Sequence, residues 1–461
     1  MKTAVQYGAL LVLLTFCGCQ TSRQSRYSGV ISAYDRGDAV SALLQLEHLA
    51  EKRGTEPDIT SLDRAIVHLL AAQPDSTMRE LKMTRRRLDH LEQIDLSEQT
   101  VSALNDDSFI AWSGRKFERR MVDNLQILAS LLRNHDDSFA LASRGMNGVH
   151  KDERDLNRSQ ETPESDKPET VSQSAPAPAR YAANRMTTWL AAAVTSERIQ
   201  EADATDRLIQ EVAAWGPSGD AELEALQALG TRVSRNSGTL QVVTFAGRIS
   251  PWESERAIPT TAALLVADRI LSVTADHSLP ATNSPVLMAR PVHRCYTPKF
   301  LTHVLVAGRS ASPGRVLVDL NAAAWDCWQT ERDQQLARAV IRRVVKKGAL
   351  YGAKNVLGIP KGSTTDLLLN LAGMFWESGE QADLRQWNLL PAAVEVAQME
   401  LPAGNHRVQL QVNSANQDTP GPPADQLEIP VTVEDGRNTF VVCFRPHDTL
   451  VGVQSSTQAG G

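Results

Sequence analysis

Apolar residues in SAYDRGDAVSALLQLEHLAEK fall at Ala42, Leu46 and Leu49, the spacing that gathers side chains on one face of an α-helix. Gly37 and Asp38 interrupt that pattern and predict a turn between two amphipathic helices. AIVHLLAAQPDSTMRELKM and LQILASLLRNHDDSFALAS repeat it, each with an apolar helix, a polar break holding Asp75 or Asp137, and a second helix. RELKMTRRRLDHLEQ alternates charge, as a solvated helix face does. The pattern then changes. From His150 to Arg180 the chain almost lacks large apolar residues and reads as a disordered tether, because it cannot bury enough surface to offset the entropy of ordering.

Two further helices are predicted at YAANRMTTWLAAAVTSERI and around AELEALQALGTRV. TLQVVTFAG is β-branched and aromatic, stops at a glycine, and reads as a buried strand. PVLMARPV, HVLVAGRS and RVLVDL read as further strands, with a helix at TTAALLVADRILSVTAD and a long one from Asn321 to Lys354. VEVAQMELPAGNHRVQLQV and LEIPVTVEDGRNTFVVCFRP alternate apolar and polar positions around AG and DG turns, the pattern of antiparallel hairpins. The expected organisation is an α+β multidomain chain. Its parts are a leader at 1–18, helices at 19–148, a linker at 149–180, more helices at 181–235, an α+β domain at 236–400, hairpins packed on it at 401–450, and a disordered tail at 451–461.

Composition narrows the function classes. Charged residues make up 22% of the 461-residue chain and the net charge is -6, so nothing draws it toward nucleic acid. Lys2 and the short apolar run Gly8 to Phe16 have the make-up of an export signal, too brief for a comfortable membrane span. Beyond them no apolar segment approaches the roughly 20 residues of a spanning helix, which predicts a soluble body.

Phe16-Cys17-Gly18-Cys19 resembles the bacterial lipobox, in which a small residue precedes the lipidated cysteine. Gly18 before Cys19 fits; Phe16 departs from the usual leucine. The resemblance implies lipid on Cys19, loss of Cys17 with the leader, and anchoring to a membrane. Gln20 at the next position, where a retaining Asp would stand, implies the outer membrane facing the periplasm. Cys295, Cys327 and Cys443 then remain, an odd number that implies no disulfide framework. AYDRGDAVSALLQLEHL resembles the centre of a tetratricopeptide unit, although the regular ~34-residue period and the full aromatic and proline signature are missing. Together with FERRMVDNLQILASLL, LQVVTFAGRISPWESE and ADLRQWNLLPAAVEVAQMELPAGNHRVQL, it is similar to a family of uncharacterised bacterial lipoproteins with tetratricopeptide-like helices and a mixed C-terminal region. LPAGNHRVQL and VTVEDGRNTFVV also look like small periplasmic β-modules that present a hairpin to other envelope components. These resemblances imply location and architecture, and carry over no catalytic residues.

The chemical motifs are sparse. GIPKGSTTD has a phosphate loop's residues in the wrong order, with Lys361 before Gly362, and reads better as a helix cap at Ser363 or Thr364. His293 and Cys295 would share one face of a strand, with His303 nearby, but without a fourth ligand packing outweighs metal binding. Glu253 and Glu255 could pair for acid-base work on a sugar, a reading that needs a defined separation. ERDQQLARAVIRRVVKKGALYGAK predicts a helix with Leu336, Val340 and Val344 on one face and Arg338, Arg342, Arg343, Lys346 and Lys347 opposite, either a docking face or a solvated edge. Gly348 and Gly352 would let a helix approach closely. Trp252, Trp376 and Trp387 are expected in or beside loops, as binding anchors or interface packing. The expectation is a membrane-anchored, non-enzymatic adaptor or scaffold with an envelope protein partner, no cofactor and no metal. The alternatives are an enzyme acting on an envelope polymer and a self-assembling structural component.

Overall fold

The computed structural model describes residues 23–52, 55–102, 112–134, 136–160, 182–198, 201–214, 236–274, 285–306, 309–312, 314–356, 382–415 and 423–456, which form an α+β protein. Before the first strand lie α1 (Arg23–Asp35), α2 (Ala39–Ala50), α3 (Pro57–Leu70), α4 (Pro74–Ser102), α5 (Lys116–Leu132), α6 (Ser138–Gln160), α7 (Ala182–Ser196) and α8 (Ala202–Ala214). Each packs on the next in chain order, and α5 also meets α7. The α1–α2 turn works as its sequence suggests: Gly37 takes a positive φ of 72°, and the Asp38 side chain accepts the Ser41 N–H at 3.0 Å to cap α2. Ala42, Leu46 and Leu49 are buried on one stripe. No described helix is long and apolar enough to cross a membrane.

The strands are β1 (Ser237–Ala246), β2 (Trp252–Ala257), β3 (Val286–Pro291), β4 (Phe300–Val306), β5 (Arg309–Ser312), β6 (Arg315–Asp319), β7 (Ala393–Pro402), β8 (Gly404–Ser414), β9 (Asp425–Val433), β10 (Asn438–Arg445) and β11 (Gly452–Ser455). A five-stranded sheet has the order β11-β10-β1-β7-β6 and a four-stranded sheet the order β5-β4-β8-β9. Within the larger sheet β1 runs parallel to β10 and antiparallel to β7. Every residue of β1 is buried, because both of its faces are covered. Leu240 and Val242 join Val441 and Cys443 against Val304, Val408, Leu410 and Val431 of the smaller sheet. Val243 and Phe245, on the other face, join Phe440 and Phe444 in the core shared with the helices. There Tyr34 of α1 meets Phe444 edge-on at 6.4 Å, and Trp189 of α7 meets Phe440 likewise at 6.4 Å. α3 touches β11, α5 touches β10 and α7 touches β6, so alternate helices lie on the large sheet. A two-stranded β2–β3 sheet, α9 (Thr261–Thr274) and the long α10 (Leu320–Val356) complete the fold.

Three sequence expectations change. The AG and DG turns do not close hairpins: β7 and β10 belong to the large sheet while β8 and β9 belong to the small one, so Gly404 (φ 139°) and Gly436 (φ 71°) turn corners between sheets. Alternation reports that one face of a strand is buried, not which strand lies beside it. The hairpin that does form in the small sheet pairs β8 with β9. The tail is ordered through Ser456, because β11 pairs with β10. The first part of the expected linker is helix, since α6 runs on to Gln160; the rest of that stretch, like 1–22, the GIPKGSTTD segment and AELEALQALGTRV, lies outside the described residues.

Candidate functional site

The segment 382–392 crosses from the helices to β7 without regular structure, yet Trp387, Leu389 and Leu390 are fully buried. Its main chain therefore needs partners in the core, and two buried helix carboxylates supply them. Glu118 of α5 accepts the Trp387 N–H at 2.8 Å, and Asp63 of α3 accepts the Leu389 N–H at 2.9 Å. The other oxygens are used as well: Glu118 accepts the Arg115 N–H at 2.7 Å and Asp63 accepts the Asn388 side-chain amide at 3.0 Å. Burial pushes the Glu118 carboxyl above its ordinary value, against the pull of Arg115 and the two amides. Arg385 donates to Asp383 at 2.8 Å and to Glu56 at 2.5 Å, and Arg115 donates to the Arg385 carbonyl at 2.8 Å. The helices thus hold this strap largely by its backbone.

The same junction accounts for Trp252, which lies in β2, only 4% exposed, beneath the Arg115 guanidinium at 3.6 Å. Of the two readings of its sequence position it takes packing, and so does Trp387; Trp376 lies outside the described residues. On α10 Leu336, Val340 and Ile341 are buried and Arg338 is exposed. Arg343 is not on Arg338's side of α10: five residues further on is about 140° around a helix, and it donates to the Pro285 carbonyl at 2.7 Å. Arg342, Lys346 and Lys347 belong to α10, but their side chains lie outside the described residues, as does Cys19.

The carboxylates Glu253 and Glu255 stand on the exposed side of β2 and both bind Arg290 of β3, at 2.7 and 3.1 Å. They form a surface ion pair across two strands. His293 and Cys295 sit exposed in the connection between β3 and β4 while His303 is in β4, and among the described residues no group of side chains is arranged to hold a metal. Cys327 donates to Glu331 at 3.5 Å, and burial pushes both its thiol and that of Cys443 upward, the latter to about 12.

Sequence reading passed over a second charged centre. Arg445 of β10 and Glu395 of β7 pair at 2.5 Å, each 1% exposed, between the two sheets. Glu395 also accepts the Thr302 N–H at 3.3 Å from β4. Burial pushes the Glu395 carboxyl up while Arg445 pulls it back. The signal was present: Glu395 is in phase with buried Ala397 and Leu401, and Arg445 with buried Val441 and Cys443. Opposite charges on the inward positions of two strands announce an ion pair across a core.

One open cleft, of about 250 Å³, lies where the α5–α6 turn, the end of α7 and the corner between β9 and β10 meet. Leu131, Phe139 and Val194 give it an apolar wall, and Asp136, Glu197, Arg198, Glu434 and Arg437 bring charges of both signs to its rim. The Arg198 guanidinium lies over the Phe139 ring at 3.7 Å. Glu197 accepts the Asn438 N–H at 2.9 Å, and burial pushes its carboxyl up. Arg437 is taken up by Glu434 at 3.3 Å.

No known protein family, characterised protein or solved structure matches the chain.

Proposed function

We propose that this protein is a non-enzymatic adaptor or scaffold of a bacterial cell envelope, held to the outer membrane by lipid on Cys19 and facing the periplasm. The N-terminal Phe16-Cys17-Gly18-Cys19 sequence supports its place, and the ordered packing of α1 to α8 supports reading the helices as a degenerate tetratricopeptide-like array. The observation that carries the binding role is the grip of Glu118 and Asp63 on the main chain of Trp387 and Leu389: the helices already hold a segment of irregular chain, in cis.

Because alternate helices are covered by the sheet and the strap, partner contact falls on the outer side of the array and on the exposed side of α10. Val40 and Leu44 of α2 stand 70% and 60% exposed there, one helical turn apart, and Arg338 is exposed on α10. The test is cross-linking in intact cells followed by mass spectrometry, with Cys19→Ala as the mislocalised control and Leu44→Glu as the surface variant. A reproducible protein partner, lost in the control and reduced by Leu44→Glu or Arg338→Glu, supports the reading. Capture of the protein's own chain alone would replace it with self-assembly, and capture of nothing with an enzyme whose substrates are transient.

A further inference from the structure

Two charged side chains of the cleft beside Phe139, Asp136 and Arg198, are not used by the described fold. Among the described residues neither Arg198 nor Asp136 has an ion-pair partner, although Asp137 beside Asp136 pairs with Lys82 at 3.7 Å and, elsewhere on the cleft's rim, Arg437 pairs with Glu434 at 3.3 Å. The face of the Arg198 guanidinium is occupied by Phe139, which leaves its N–H edge free and held in one plane. A planar donor edge of this kind matches a carboxylate, which accepts two parallel hydrogen bonds from it. Glu197, the residue before Arg198, is partly enclosed; its carboxyl accepts the Asn438 N–H and feels the charge of Arg437, but makes no described ion pair. Leu131 and Val194 give the cleft an apolar wall. At about 250 Å³ the cleft falls below the roughly 300–1,000 Å³ of sites for drug-sized ligands, so its occupant is small.

We propose that this cleft binds a small zwitterion, an amino acid or dipeptide, with its carboxylate on Arg198, its ammonium between Asp136 and Glu197, and its side chain against Leu131 and Val194. This is independent of lipid anchoring and of partner capture, and neither of those failing would touch it. The probe is L-alanyl-L-alanine, titrated calorimetrically into the full mature chain, beside its N-acetyl and C-amide forms. Saturable binding of the dipeptide is expected, weakened tenfold or more by either cap. Arg198→Gln is expected to weaken binding of the uncapped dipeptide by a similar factor; Arg198 is exposed, so the variant keeps its fold, as circular dichroism will verify. No saturable heat up to about 10 mM would overturn the proposal. So would capped dipeptides that bind as well as the free one, or binding indifferent to Arg198→Gln.

Discussion

The Trp387 N–H points at Glu118 across 269 residues of sequence and ends 2.8 Å from its carboxylate, joining the helices to the segment that leads into the large sheet. Glu118 also closes the first turn of α5 by accepting the Arg115 N–H at 2.7 Å. One buried side chain thereby caps a helix and seats the strap.

Replacing Glu118 with Ala leaves the buried Trp387 N–H and the partly buried Arg115 N–H without an acceptor, at about 1–3 kcal/mol for the buried donor and less for the other. The expected loss is about 3 kcal/mol, read from the midpoint of urea unfolding. Because the strap links the layers, helical circular dichroism and the fluorescence of the buried tryptophans should shift together.

The Glu395–Arg445 pair predicts a different pattern. Arg445→Met alone strands a buried carboxylate and should cost about 3–5 kcal/mol, whereas Arg445→Met with Glu395→Leu should recover most of that loss. Two single variants and the double, compared by chemical denaturation, give the coupling. Additive losses would mean that the two charges are stabilised separately.

Glu197 gives a pH dependence whose sign follows from its environment. Burial raises its folded-state pKa above the ordinary 4.5, so the folded chain holds that proton more tightly than the unfolded chain. The stability tied to that proton is fully present below the unfolded value and is lost as pH rises through the higher folded one. Glu197→Gln keeps an oxygen for the Asn438 N–H and removes the titration. Relative to this variant, the wild-type chain should lose stability as pH rises above the ordinary carboxylate range, measured as the difference in melting temperature.

At Gly37 a single added methyl meets both an unfavourable backbone conformation and a close backbone neighbour. Its φ is 72°, and an added Cβ would lie 2.4 Å from the Val451 carbonyl oxygen. Gly37→Ala therefore combines backbone strain with a clash between the α1–α2 turn and the entry to β11, and should cost about 2 kcal/mol or more in urea unfolding.

The surface pair of Glu253 with Arg290 provides the contrast. Their side chains are 47% and 34% exposed, so Glu253→Gln should change stability by less than about 1 kcal/mol and still less in high salt. A larger effect would mean that these carboxylates do more than pair across β2 and β3.

What the sequence determined by itself is the local layer of this structure. Helical spacing identified α2 through Ala42, Leu46 and Leu49, the Gly37-Asp38 turn identified its start, and alternation identified β7 to β10, because each of these depends on neighbours within a few residues. Tertiary structure alone decided which surfaces those elements use. The two glycine turns became corners between sheets, since burial of one strand face can be satisfied by either sheet. Which of its two sequence readings Trp252 takes was settled by Arg115, distant in sequence, whose guanidinium packs on the ring of a tryptophan buried in the core. The strap has no period to read: its order comes from Glu118 and Asp63, whose value as acceptors depends on a dry core that exists only once the helices and the sheet have closed around it.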